Sequence, residues 1–489
     1  MHLHNQTIHI DPGSGTWPRP VARFLLAAAL LATPGCATLD ADRELDITAA
    51  TARRVTGTLD PADAWSLPVQ GESPAWDGVA PLGYDAAVSV ALQGDPTLRS
   101  ALAVIVEKRA WYVQEGLPPN PTIAFGIGAA VDGLSGAPLF VQGLQALSWI
   151  WKNPWRVEAA EAELRAAVYT AGEQCVTIMA KTRTELAAVL AAQETLSLDE
   201  RYVEITQKTV DLVREMQVAG ELAQLDLDRA IVDHEEAVSS MIASQHALIT
   251  AKLTLLGTMG RPDATIDWVA VGDLPPTWQI PKDENELLAL AATGRLDVAA
   301  SWEQVRKIEA DLGLAETRRF PEVGLMVQYR DSFSGREGVL GGGEITIPIL
   351  DNGEPAIAMQ NAKLQQARMN YLAASEVAQR EVRVSLNKLL EARSRVQVIR
   401  RGQLEAAIAA QERSDAAYAE GEVDLNTLLM TQRQRIEVER RLVQQEFATM
   451  QAMCQLRQAV GGSFDPVLND VPEFEIEKQA RDDGEEDLS

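Results

Sequence analysis

The sequence predicts a mainly α-helical protein with a small β part, built twice over. Three observations carry this. Blocks of similar sequence recur about 200 residues apart. Two stretches of roughly 65 residues keep helical periodicity with no interior proline. Each half also holds a pair of short alternating stretches, placed just ahead of its long helical run.

The repeat rests on four anchors in one order. "VAGELAQLDLDRA" (218–230) is echoed by "AEGEVDLNTLLMTQ" (419–432), and Pro121 by Pro321. "AEAELRAA" (160–167) matches "NAKLQQA" (361–367), and "LLGTMG" ending at Gly260 matches "QAVGG" at Gly461. The period is too long for a solenoid repeat. It fits one elongated body with two similar halves.

Taken in order, the chain opens on a leader. Arg19 and Arg23 precede "FLLAAALLAT" (24–33) and then "PGC". A basic start, a short apolar core and small residues describe a secretory signal peptide over 1–35. The apolar run is too short to span a bilayer as a helix. Cleavage before Cys36 is the lipoprotein pattern, so a covalent lipid on Cys36 is expected. Residues 1–20 carry three of the five histidines and read as upstream of the true start, at Val21. Residues 36–84 form the lipid anchor and an extended N-terminal segment.

The first repeat covers 85–260. A helix is predicted over 86–115, stopping at "GLPPNP". "TIAFGIGAAV" (122–131) then alternates, with Ile123, Phe125 and Ile127 on one face. "LFVQGLQALSWIW" (139–151) reads as its partner strand, completing a β-hairpin over 122–151. "KNPW" opens a helix with Pro154 near its first turn, running to about Ala219. Gly220 turns the chain, and a second helix runs to about Gly257. Residues 261–294 read as a linker with one short helix. The second repeat, 295–462, begins with an amphipathic stretch ending at Pro321, then a hairpin over 322–350. Val323, Leu325 and Val327 share one face of its first strand. "GVLGGGE" (338–344) reads as the hairpin loop, and "GEITIPIL" (343–350), with Ile345, Ile347 and Ile349 on one face, as the second strand. A long helix reaches Glu420, turns at Gly421 and returns to Gly461. The tail 463–489 is acidic and expected to be disordered.

Bulk composition narrows function. Asp and Glu number 70 against 44 Lys and Arg, a net charge of −26, so nucleic acid is excluded as a partner. Of three cysteines, Cys175 lies on the apolar track of Val157, Leu164, Val168, Ala171 and Ile178 and reads as a small buried hydrophobe. Cys454 sits in a similar stretch. No Cys/His cluster points to a metal site, and His234 and His246 are not at i, i+4. No GxSxG elbow, P-loop, HExxH or dinucleotide loop is present, so no enzyme is expected.

Four strands cannot close a barrel, and open edges cannot sit in lipid. Membrane-facing strands would therefore have to be pooled by several chains. At this point the sequence resembles the TolC-type outer-membrane efflux channel family, over about 84–462. The marks are "LPPNP" and "RRFPEV" before strands, "ITIPILDNGEPAIAMQNAKLQQA" leaving the second hairpin, "GEVDLNTLLMTQ" at the turn, and "GRLDVAASWEQVRKIEADLGLAETRRFPEVGL" opening the second repeat. The resemblance implies a homotrimer in the cell outer membrane with a twelve-stranded transmembrane β-barrel, four strands per chain. It also implies a coiled-coil tunnel in the periplasm. The tunnel's tips, here Gly220, Glu221, Gly421 and Glu422, would dock a periplasmic adaptor protein and an inner-membrane efflux transporter. Lipid-facing positions would be Ile123, Phe125, Ile127, Val323, Leu325, Val327, Ile345 and Ile347. Aspartates that narrow the mouth in some members fall here on Thr427 and Met430, so Asp226, Asp228 and Asp424 are the mouth candidates. No cofactor or metal is expected beyond the lipid. Two other readings stay open: a channel for type I protein secretion, and a non-channel periplasmic coiled-coil scaffold. The exported substrate is not specified.

Overall fold

The computed structural model describes residues 41–48, 76–128, 139–275, 280, 283–331 and 336–464. The leader, Cys36 and the tail from 465 lie outside the described residues.

The first repeat starts with two helices where the periodicity predicted one. Helix α1 (Tyr84–Gly94) ends, and α2 (Pro96–Gly116) begins, at Asp95. The Asp95 carboxylate accepts the backbone N–H of Thr97 at 2.7 Å and of Leu98 at 3.1 Å. Pro96, with no N–H to lose, fits the first helical position. Strands β1 (Thr122–Ile127) and β2 (Leu139–Ala146) follow. Helix α3 spans Trp149–Val218, 70 residues, or about 105 Å at 1.5 Å per residue. It begins earlier than predicted: Trp149, Ile150 and Trp151 belong to it, not to β2, and Pro154 stands inside it. Helix α4 (Gln224–Thr258) returns alongside.

The second repeat retraces this. Helix α5 (Glu284–Gly294), which the sequence placed in a linker, is the counterpart of α1. Its Leu287, Leu290 and Ala291 join a core cluster with Val382 and Leu389 and with Ala452, Met453 and Leu456. Helix α6 (Leu296–Glu316), strands β3 (Glu322–Asp331) and β4 (Glu337–Thr346), and helix α7 (Glu354–Val398) come next. A π-helical turn, Ile399–Leu404, joins α7 to α8 (Glu405–Ala419), and α9 (Leu425–Ala459) completes the repeat.

Residues 338–344 are a correction. They lie in β4, not in a loop. Gly341, Gly342 and Gly343 stand directly opposite Val327, Met326 and Leu325 of β3, so the larger side chains of β3 face positions with none. Ile347 and Ile349 fall beyond the end of β4. Residues 42–48, read as extended, are helical.

Helix ends explain the duplication. Gly220, Gly260, Gly421 and Gly461 all have positive φ, at 79°, 68°, 75° and 103°. Each follows a helix end and closes the same paired hydrogen bonds. At the first, Gly220 N–H reaches Gln217 O at 3.0 Å and Glu221 N–H reaches Met216 O at 2.9 Å. At the third, Gly421 N–H reaches Tyr418 O at 3.0 Å and Glu422 N–H reaches Ala417 O at 2.8 Å. This is the Schellman ending, which needs a left-handed residue and so favours glycine. A Cβ added to Gly260 would sit 2.3 Å from Gly94 O, and one on Gly461 would sit 2.4 Å from Gly294 O. The ends of α1 and α5 therefore butt against the ends of α4 and α9, once in each repeat.

The core runs along α3. Leu164, Val168, Ala171, Cys175 and Ile178 are buried, along the seam the heptad spacing marked, and Val157 at its head is half-buried. Cys175 and Cys454 are free and buried. His234 Nδ1 lies 3.1 Å from Thr206 Oγ1. Among the described residues no group of His, Cys, Asp or Glu could hold a metal ion, and no helix is long and apolar enough to cross a membrane.

Candidate functional site

Two surfaces stand out, the sheet and the hairpin tips. The strands form one antiparallel sheet in the order β1-β2-β3-β4. Register sorts the side chains by face, because alternate residues point to opposite sides. Ile123, Phe125 and Ile127 pair with Gly143, Val141 and Leu139. Val141 and Gly143 pair in turn with Tyr329 and Val327, and Gln145 with Leu325. Val323 pairs with Ile345, and Tyr329 with Val339. One face is thus mostly apolar across four strands, its polar members being Gln145 and, at the β3–β4 hairpin end, Asp331 and Glu337. The other carries Thr122, Gln142, Glu322, Gln328, Arg330, Glu344 and Thr346 beside the apolar Phe140, Leu144, Met326 and Leu340, with Gln142 opposite Gln328. Phe125, Ile127 and Ile345 are 77, 75 and 61% exposed within one chain. An apolar face this open in a single chain calls for an apolar environment. Both edges, β1 and β4, are unpaired within the chain.

At the other end of the long helices the two turns come together. Val210 and Val213 of α3, Leu227 and Ala230 of α4, and Leu425 and Leu428 of α9 form one apolar cluster, with Tyr418 packed against it. Gly220, Glu221, Gly421 and Glu422 are all exposed there. The acidic candidates are engaged locally. Asp424 caps α9: its carboxylate accepts Thr427 N–H at 2.9 Å and Thr427 Oγ1–H at 2.6 Å. The Thr427 bonds hold the Asp424 carboxyl below the usual carboxylate range. Asp226 accepts the Ala223 N–H at 3.3 Å and lies 3.8 Å from Arg229. Asp228 accepts from Gln224 Nε2 at 2.9 Å. Burial, and then Asp226, push the Tyr418 hydroxyl up.

Above the tips, charged links that sequence reading missed tie the two hairpins together. Asp233 of α4 and Asp199 of α3 are 4 and 1% exposed. Arg433 of α9 bonds Asp233 and reaches Glu236 at 2.8 Å, while Tyr202 O–H donates to Asp233 at 3.1 Å. Arg440 Nε donates to Asp199 at 2.6 Å, and Ser244 O–H donates to its other oxygen. A signal existed. Asp233 falls on the inward track of Leu227, Ala230 and Ala237, where an acid needs a partner.

Helix α7 has two apolar sides. Leu364, Ala378, Val382 and Leu389 are buried. At 3.6 residues per turn, Met369, Val384 and Val398 fall on the opposite side and Leu372 and Leu390 on the flank between, and all five are exposed.

A two-faced sheet with open edges, set on a duplicated pair of long helical hairpins, is the build of a membrane channel protein. The chain belongs to the outer membrane efflux protein family, whose sequence model matches residues 87–261 and 287–462. It is similar to the cobalt-zinc-cadmium resistance protein CzcC of Cupriavidus metallidurans, 22% identical over 73% of this chain and 84% of that protein. It is similar also to the pyoverdine export outer membrane protein OpmQ of Pseudomonas aeruginosa, 24% identical over 80% of this chain and 87% of that one. Among solved structures, the open-state outer membrane channel MtrE of Neisseria gonorrhoeae superposes with a TM-score of 0.67 at 19% identity, covering 80% of this chain and 91% of that chain. The mainly helical fold with two repeats and a small four-stranded sheet is that of these channels.

Proposed function

We propose that three copies of this chain form a passive exit duct in the outer membrane, delivering substrates handed over by an adaptor and an inner-membrane transporter. The observation that carries this is the register of the sheet. Apolar residues predominate on one face and most of the polar ones gather on the other, while both edges stay open. Three such sheets joined edge to edge give twelve strands, enough to close a barrel with a polar lumen. Lipid would meet Ile123, Phe125, Ile127, Leu325, Val327 and Ile345. The exposed apolar side of α7 supplies a surface for the neighbouring copy.

The duct does no chemistry on its cargo. Its contribution is a polar path and, at the paired tips around Gly220 and Gly421, a ring for the adaptor. The two relatives are named for cobalt-zinc-cadmium resistance and for pyoverdine export, so the cargo class is set outside this chain. An acyl group on Cys36 would add a second hold on the membrane. Chemical cross-linking in outer-membrane fractions tests the assembly. A ladder ending at three chains is expected, and a chain that stays monomeric at saturating cross-linker overturns the reading.

A further inference from the structure

Residues 42–48 form a short helix whose buried side is Glu44 and Thr48, with Leu45 and Ile47 half-buried, while Asp42, Arg43 and Asp46 face out. An acid on the inward side is unusual, and it is accommodated. Glu44 is 2% exposed and its Oε1 lies 3.2 Å from Arg109 Nη1 of α2. Arg109 stacks on the Tyr112 ring at 5.4 Å. Glu161 and Arg165 of α3 lie close enough to act on the same Tyr112. Thr48 O–H donates to Glu44 O at 2.9 Å and is fully buried. A surface segment held only to cover the body would not need a buried ion pair. Breaking one by removing a partner is costly, because it strands the other charge.

The position of this pair is informative. Arg109 stands seven residues before the end of α2 at Gly116, about 10 Å along the helix, and β1 begins at Thr122. Glu44 stands eight positions after Cys36, a reach of at most about 28 Å for a fully extended chain. An acyl chain on Cys36 therefore has to enter a bilayer surface within that distance of Glu44.

We propose that helix 42–48 is a clamp for the lipid anchor, with Glu44 and Arg109 as its positioning residues. The clamp fixes where the described chain begins, at Ala41 beside α2, and so limits how far a lipid on Cys36 can lie from the helical body. This rests on acylation of Cys36, as proposed above, and the test separates the two. Full-length protein in native outer-membrane vesicles, labelled in cells with radioactive palmitate, is treated with trypsin, and cutting after Arg43 is timed. Arg109→Ala and Arg109→Gln, which remove the partner of Glu44 and leave the residues beside the cut bond unchanged, are each expected to speed that cut by at least about tenfold, since cleavage requires local opening. Asp46→Asn, on the outward side, should leave it unchanged. Thermal unfolding of the helical body should move little in all three. The label should leave with the fragment ending at Arg43. Cutting rates within about twofold of wild type in the Arg109 variants overturn the clamp. Equal acceleration by Asp46→Asn does so as well. Wild-type protein carrying no label overturns the anchor, while the rates still decide whether the helix is clamped.

Discussion

Valine at both tip glycines, Gly220→Val with Gly421→Val, should disable export without unfolding the protein. Both residues sit at φ near +75 to +79°, where an L side chain costs about 1–2 kcal/mol each, somewhat more for a β-branched one. Sterics add little, since a Cβ at either position meets nothing within 4 Å. The loss of a few kcal/mol falls on turns whose hydrogen bonds end each hairpin, far from the seam along α3. The junction glycines give the contrast. A Cβ on Gly94 would lie 2.1 Å from Met259 O, and one on Gly461 2.4 Å from Gly294 O. Both clash with backbone, which only displacement of whole helices relieves. Export is measured as cargo efflux in cells lacking other outer-membrane channels, beside immunoblots of the outer-membrane fraction. The tip double variant should reach near-normal levels with reduced efflux, and Gly94→Ala or Gly461→Ala should accumulate poorly. Normal efflux from the tip variant, or its failure to accumulate, refutes the reasoning.

Two further outcomes follow from other parts of the molecule. Arginine at Phe125, on the apolar face of the sheet, should cost about 2–4 kcal/mol of barrel stability, and arginine at Gln328, on the polar face, should cost clearly less; equal losses in urea titrations of folded protein in vesicles would contradict the facing. Burial, and then Asp297, raise the Glu173 carboxyl to about 7. A raised acid favours the folded state while protonated, so this stability is present below about pH 4.5 and is lost as pH climbs towards 7. Glu173→Gln should therefore flatten the thermal-unfolding profile over that window and raise the melting temperature at pH 8; an unchanged profile would remove Glu173 from the account.

The duplication was readable because its anchors are backbone requirements. Gly220, Gly260, Gly421 and Gly461 are demanded by positive φ, and they recur at one offset. The strands were readable in β1 and β3, where alternation is clean. In β4 it was hidden, since Gly341, Gly342 and Gly343 spell a turn until Leu325, Met326 and Val327 of β3 are set opposite them. The start of α3 was misplaced because Trp149, Ile150 and Trp151 suit a strand as well as a helix. Asp95 and Pro96 in "GDPTL" did carry the signal for a break between α1 and α2. The Asp233–Arg433 and Asp199–Arg440 links lie between residues about 200 and 241 apart, and local periodicity cannot pair them. Glu44 was unreadable for the same reason, as its partner is on α2.

Electrical recording in planar lipid bilayers tests the central claim most directly. Purified full-length protein should insert as trimers and give discrete, long-lived conductance steps. Arginine at Gln328, on the polar face, should change the step size, while arginine at Phe125 should reduce insertion. Pure trimer that reconstitutes into the bilayer and passes no current would contradict the account.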